Sequence, residues 1–175
     1  MGFLHLFWGF LFLIDIRING FDVLPDVIGY VLFFVGFLKL EGKSEHFRKA
    51  KNMSVILIFF SALMLIFTWM PPQSWLFYFL FNVVLYFLKL YLIFQMCNGI
   101  SELAGRKGFH AFQTKAIQRW RWYFVIATAT FIVVLVAPFV PLLAVFLAIM
   151  LILASIVIHI LMMMLTWEAE RVLHR

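Results

Sequence analysis

Two kinds of joint alternate along this chain. All five prolines fall in three short turns, around Pro25, around Pro71-Pro72, and around Pro138 and Pro141. Lys and Arg cluster at the opposite ends of the intervening stretches, at 39–51, 106–121 and 171–175, with Lys89 just inside one of them. Between the joints lie six apolar segments: 2–18, 25–40, 53–70, 75–97, 122–137 and 139–165. A helix needs about 20 residues, or about 17 at the least, to cross a hydrocarbon core. Segments three, four and six meet that length. Segment five does so if its helix starts in the amphipathic stretch at Phe109, giving 109–137. Segments one and two are short and carry Asp15, Arg17 and Asp26 near their joined ends.

Composition excludes a soluble domain. Hydrophobic residues make up 66% of the chain and charged residues 13%, against about half and a quarter in soluble proteins. A core built from 175 residues cannot hide that much apolar surface, so lipid must be the solvent. The net charge of +6 does not point to nucleic acid, because the cations sit in short linkers. They read as orientation signals that also favour an anionic inner leaflet. The expected architecture is therefore an all-α polytopic integral membrane bundle in one domain, 1–175. It has about six transmembrane helices in three hairpins, both termini inside, in the cytoplasmic membrane. Tryptophans agree with this layout. Trp69 and Trp75 flank an outer turn, and Trp120, Trp122 and Trp167 sit at the inner boundary.

Two further features restrict the class. Cys97 is the single cysteine, which excludes an internal disulfide and a cysteine-based metal cluster; the expectation is a free, inert thiol. The N-terminus lacks a basic n-region and a small-residue cleavage site, so no cleaved signal peptide is expected. Leu6 stands where myristoylation favours Ser or Thr.

Each segment carries a stripe of small or polar residues at helical spacing: Gly2 and Gly9; Gly29 and Gly36; Ser54, Ser61 and Thr68; Asn82, Tyr86 and Lys89; Tyr123, Ala127, Thr130 and Ala137; Ala144, Ala148, Ser155 and His159. Helices in lipid associate through such residues, so the stripes should face the bundle interior. Only the first hairpin pairs glycine stripes, which predicts the closest helix contact there.

Two groups of residues are candidates for function. The first is an outer polar cluster of Asp15, Arg17, Asp22 and Asp26 at the first proline turn. It reads either as a solute access or docking site, or as helix-end chemistry in which carboxylates cap free N–H groups and Arg17 pairs with Asp22 or Asp26. The run Ile18-Asn19-Gly20-Phe21-Asp22-Val23-Leu24-Pro25-Asp26-Val27-Ile28-Gly29-Tyr30 resembles the N-terminal signature of small multi-pass membrane proteins of Bacillus-type bacteria, over residues 10–40. That resemblance implies a bacterial inner-membrane setting and no catalytic activity.

The second group is intramembrane: Asn82, Tyr86, Lys89 and His159. An unpaired Lys at the bilayer centre costs about 2.5–3.5 kcal/mol on insertion scales. Lys89 is thus expected either to snorkel toward the cytoplasm or to line a polar cavity with Asn82 and Tyr86. His159 is expected to act as neutral interhelical glue; a proton-relay role would need a nearby carboxylate, and none is visible at its depth.

No metal-ligand spacing, cofactor motif, nucleophile–base pair or phosphate loop is legible. No catalytic residue, metal or cofactor is assigned. Phe109, Phe112, Ala116, Ile117 and Trp120, ringed by Lys115, Arg119 and Arg121, form an amphipathic helix suited to an anionic lipid surface. Three functions remain open. The leading one is a non-enzymatic accessory or regulatory subunit acting through a membrane partner or as a homo-oligomer. The others are a small transporter or channel using Asn82, Tyr86 and Lys89, and a membrane enzyme acting on lipid.

Overall fold

A computed structural model describes residues 2–14, 17–18, 21–22, 26–69 and 75–173. The described chain is helical apart from one two-residue ladder. The helices are α1 (Phe3–Phe12), α2 (Asp26–Leu38), α3 (Glu45–Trp69), α4 (Trp75–Arg106), α5 (His110–Val136) and α6 (Pro141–Leu173). Between α1 and α2, β1 (Arg17–Ile18) and β2 (Phe21–Asp22) pair antiparallel, with Arg17 opposite Asp22 and Ile18 opposite Phe21.

Local chemistry sets several boundaries. Ser44 Oγ accepts the His46 N–H at 3.1 Å, capping the start of α3. At the end of α4, Gly108 adopts φ 77°. Its N–H bonds the Gly105 carbonyl at 3.0 Å and the Phe109 N–H bonds the Ala104 carbonyl at 2.9 Å. That pair of bonds is a Schellman turn, which needs a residue free to enter the left-handed region. Pro138 closes α5 and Pro141 opens α6, as fixed φ and a missing N–H require.

Four helices, α3 to α6, are long and apolar enough to cross a membrane. The first two are not. α1 has 10 residues and α2 has 13, about 15 and 20 Å at 1.5 Å per residue. The expected segments 2–18 and 25–40 therefore hold helices shorter than a span. The sequence between Asp15 and Asp26 carries acids, Asn19-Gly20 and Pro25, residue types that disfavour helix interiors.

The helices form a closed ring. Each packs on its neighbour in sequence, and α6 returns to pack on α1. α1 and α2 touch most closely at their glycines. A Cβ on Gly36 would lie 2.9 Å from the Gly2 carbonyl oxygen, and one on Gly9 would lie 3.0 Å from that of Gly29. Beside this contact lies a buried aromatic core of Phe3, Phe10, Phe33, Phe37 and Phe47, with the Phe10 and Phe33 rings 4.9 Å apart. In the apolar spans of α5 and α6, few or no residues are fully buried within the bundle. Their outer surfaces therefore need a nonaqueous solvent.

The basic end is tied across by polar bonds. The Phe3 N–H donates to Glu170 at 3.1 Å. Lys115 pairs with Glu168 at 2.5 Å, Arg106 with Glu102 at 2.5 Å, and Ser44 Oγ donates to Glu102. His46 Nδ1 meets Gln95 Oε1 at 2.7 Å.

Candidate functional site

Helix length decides where the site is. From Lys89 to Glu102 is about 20 Å along α4, the same rise as the whole of α2. α2 therefore runs from the level of Lys89, where Asp26 begins it, to the basic end. α1 stops at a similar height. Phe10 lies 6.4 Å from the His159 ring, and Phe7 lies 5.6 Å from Trp167 one level below. Around and beyond the tips of α1 and α2, the helices α4, α5 and α6 border a partly open cavity of about 710 Å³. That size falls within the range of about 300–1,000 Å³ typical of small-molecule sites.

All four intramembrane candidates line this cavity: Asn82, Tyr86, Lys89 and His159. So do Tyr123, Ala127, Thr130 and Ser155 from the expected inward stripes of α5 and α6. Ser54 and Ser61 on α3 are buried, but they face the core.

Lys89 does not turn toward the basic end. Its ammonium donates to Asp26 Oδ2 at 2.8 Å and stands 5.8 Å from the centre of the Tyr30 ring, within cation–π range. Two expectations change with this contact. Snorkelling is not the solution adopted. Asp26, from the start of α2, is joined to Lys89. A carboxylate does reach the depth of the intramembrane group. Asp26, the one member of the expected outer cluster whose side chain is described, is thereby the counter-ion of Lys89. Asp15 and the side chains of Arg17 and Asp22 lie outside the described residues.

The other candidates divide by where their polar atoms go. The Tyr86 hydroxyl lies 3.1 Å from Thr128 Oγ1, and its ring stacks on Phe131 at 4.6 Å. That residue ties α4 to α5. Asn82 Nδ2 donates to the Tyr78 carbonyl at 2.8 Å, within its own helix. His159 is likewise bonded within its helix rather than between helices, with Nδ1 2.7 Å from the Ser155 carbonyl oxygen. A carbonyl only accepts, so Nδ1 carries the proton and Nε2 is the acceptor of the neutral ring.

Tyr30 is the residue that the sequence pattern did not single out. It is 1% exposed, lines the cavity, and its hydroxyl is buried without a hydrogen-bond partner among the described residues. An unmet buried hydroxyl costs about 1–3 kcal/mol. Its position four residues after Asp26 was the available signal, because that spacing puts both on one helix face.

No protein-family model, curated protein or solved structure matches this chain. Among the described residues, no three His, Cys, Asp or Glu side chains gather as metal ligands would. The site is an apolar cavity on which polar groups converge: one ammonium, held from outside the wall by the Asp26 carboxylate, with tyrosine hydroxyls and an imidazole. Such a set has the chemistry to bind and orient a small molecule.

Proposed function

We propose that this chain is a multi-pass protein of a cytoplasmic membrane that binds a small ligand in its interior cavity and moves or senses it without chemical conversion. The basic end faces the cytoplasm, and the cavity lies in the outer half of the bundle. The observation that carries this reading is the convergence of Asn82, Tyr86, Lys89 and His159, with the unpartnered Tyr30 hydroxyl, on one cavity. Inward polar groups are costly in lipid unless they serve a pathway or a site. Anchoring helices together would require the Tyr86–Thr128 tie, not an open volume.

Native mass spectrometry of protein released from mild detergent tests this. Wild type should retain a small molecule, and Ala127→Trp, which fills the cavity from α5, should lose it. An empty wild-type cavity, accompanied by a stoichiometric membrane-protein partner on cross-linking, would favour the accessory-subunit reading instead.

A further inference from the structure

We infer that the ligand is an anionic amphiphile. A carboxylate or phosphate headgroup would sit between the Lys89 ammonium and the Tyr30 hydroxyl, and an apolar tail would run toward Tyr78 and Val134. This deepens the proposed function and rests on the cavity being a ligand site. Among the described residues, Lys89 is the one Lys, Arg, Asp or Glu in the lining; Asp26 bonds it from the tip of α2 and is not itself part of the wall. An ammonium has three N–H groups, and Asp26 Oδ2 takes one of them. The Tyr30 hydroxyl is buried and has no hydrogen-bond partner among the described residues. The floor therefore has donors to spare, which suit the oxygens of an anion. Above the floor the wall turns apolar, through Leu13, Phe79, Val83, Ile126, Phe131 and Val134. From Lys89 to Tyr78 is about 16 Å along α4, room for an extended tail.

Purified protein in maltoside micelles should be titrated with laurate, dodecyl phosphate, dodecyltrimethylammonium and sodium phosphate, with thermal unfolding as the readout. Both anionic amphiphiles should raise the midpoint saturably, and the cationic one should not. An equal shift with sodium phosphate alone would support the anion seat and overturn the tail. Asp26→Asn removes the competing carboxylate at constant shape, so it should tighten laurate binding about threefold, whereas Tyr30→Phe should weaken it by a similar factor. Lys89→Met would leave Asp26 unpaired and endanger folding. The neutral pair Asp26→Asn with Lys89→Met carries the test, and should weaken laurate binding at least about tenfold. Unchanged laurate affinity in that double variant would overturn the inference. So would dodecyltrimethylammonium binding that disappears in Asp26→Asn. If wild type retains a neutral molecule and ignores laurate, the anion inference fails while the cavity reading stands.

Discussion

Asp26 and Lys89 come from helices 63 positions apart in sequence, and each makes the other tolerable. Lys89 sits near the middle of the 32-residue α4, where an unpaired ammonium is costly in lipid. Asp26 Oδ2 supplies the counter-charge at 2.8 Å. Asp26→Ala should destabilise the protein by roughly 2–3 kcal/mol, less than a fully buried pair because both side chains keep some exposure. Asp26→Ala with Lys89→Met should recover most of that loss, as read by unfolding in micelles. Equal stability of Asp26→Ala and wild type would show that the pair contributes nothing. Residue by residue, the sequence made Lys89, Asn82, Tyr86 and His159 legible, because helical spacing alone places them inward. The partnership with Asp26 was not legible. It depends on α2 starting at the height of Lys89, a fact about two helix lengths that no local pattern records.

At the scale of elements, the first hairpin is the unusual part. Glycine spacing already indicated its tight contact, and the backbones do approach through Gly2, Gly9, Gly29 and Gly36. Gly36→Leu would drive a side chain into the Gly2 carbonyl, at 2.9 Å, and Leu6, at 2.6 Å. It should cost roughly 1–3 kcal/mol. Gly42→Ala, with nothing within 4 Å of its Cβ, is the control and should leave the unfolding midpoint where it is. Equal effects would contradict the close packing. The ends of the long helices were harder to read. Apolar runs stop where lipid stops, but a helix continues while propensity and bonds allow. α3 begins at Glu45 because Ser44 caps it, and α4 continues to Arg106 until Gly108 turns the chain.

For the whole molecule, the closed ring has two unlike ends. The basic end is filled by α1, α2 and the phenylalanine core and tied by polar bonds such as Lys115–Glu168; the other half holds the cavity. In the orientation we propose from the positive-inside rule, the cavity lies in the outer half. A reporter active only outside the cell should therefore light up near Gln73 and stay dark near Ser44 or Arg175. The reverse pattern would invert the account. The central claim, that the interior volume is an accessible ligand site, is tested most directly by thiol labelling in vesicles on a Cys97→Ala background. Thr130→Cys places a thiol on the cavity wall, and Ile132→Cys places one on the exposed outer face of the same helix. A thiol must ionise to react, which needs water that lipid denies it. Methyl methanethiosulfonate should modify Thr130→Cys quickly and be slowed by laurate, while Ile132→Cys stays unmodified. Equal labelling at both positions, with no protection by laurate, would contradict the account.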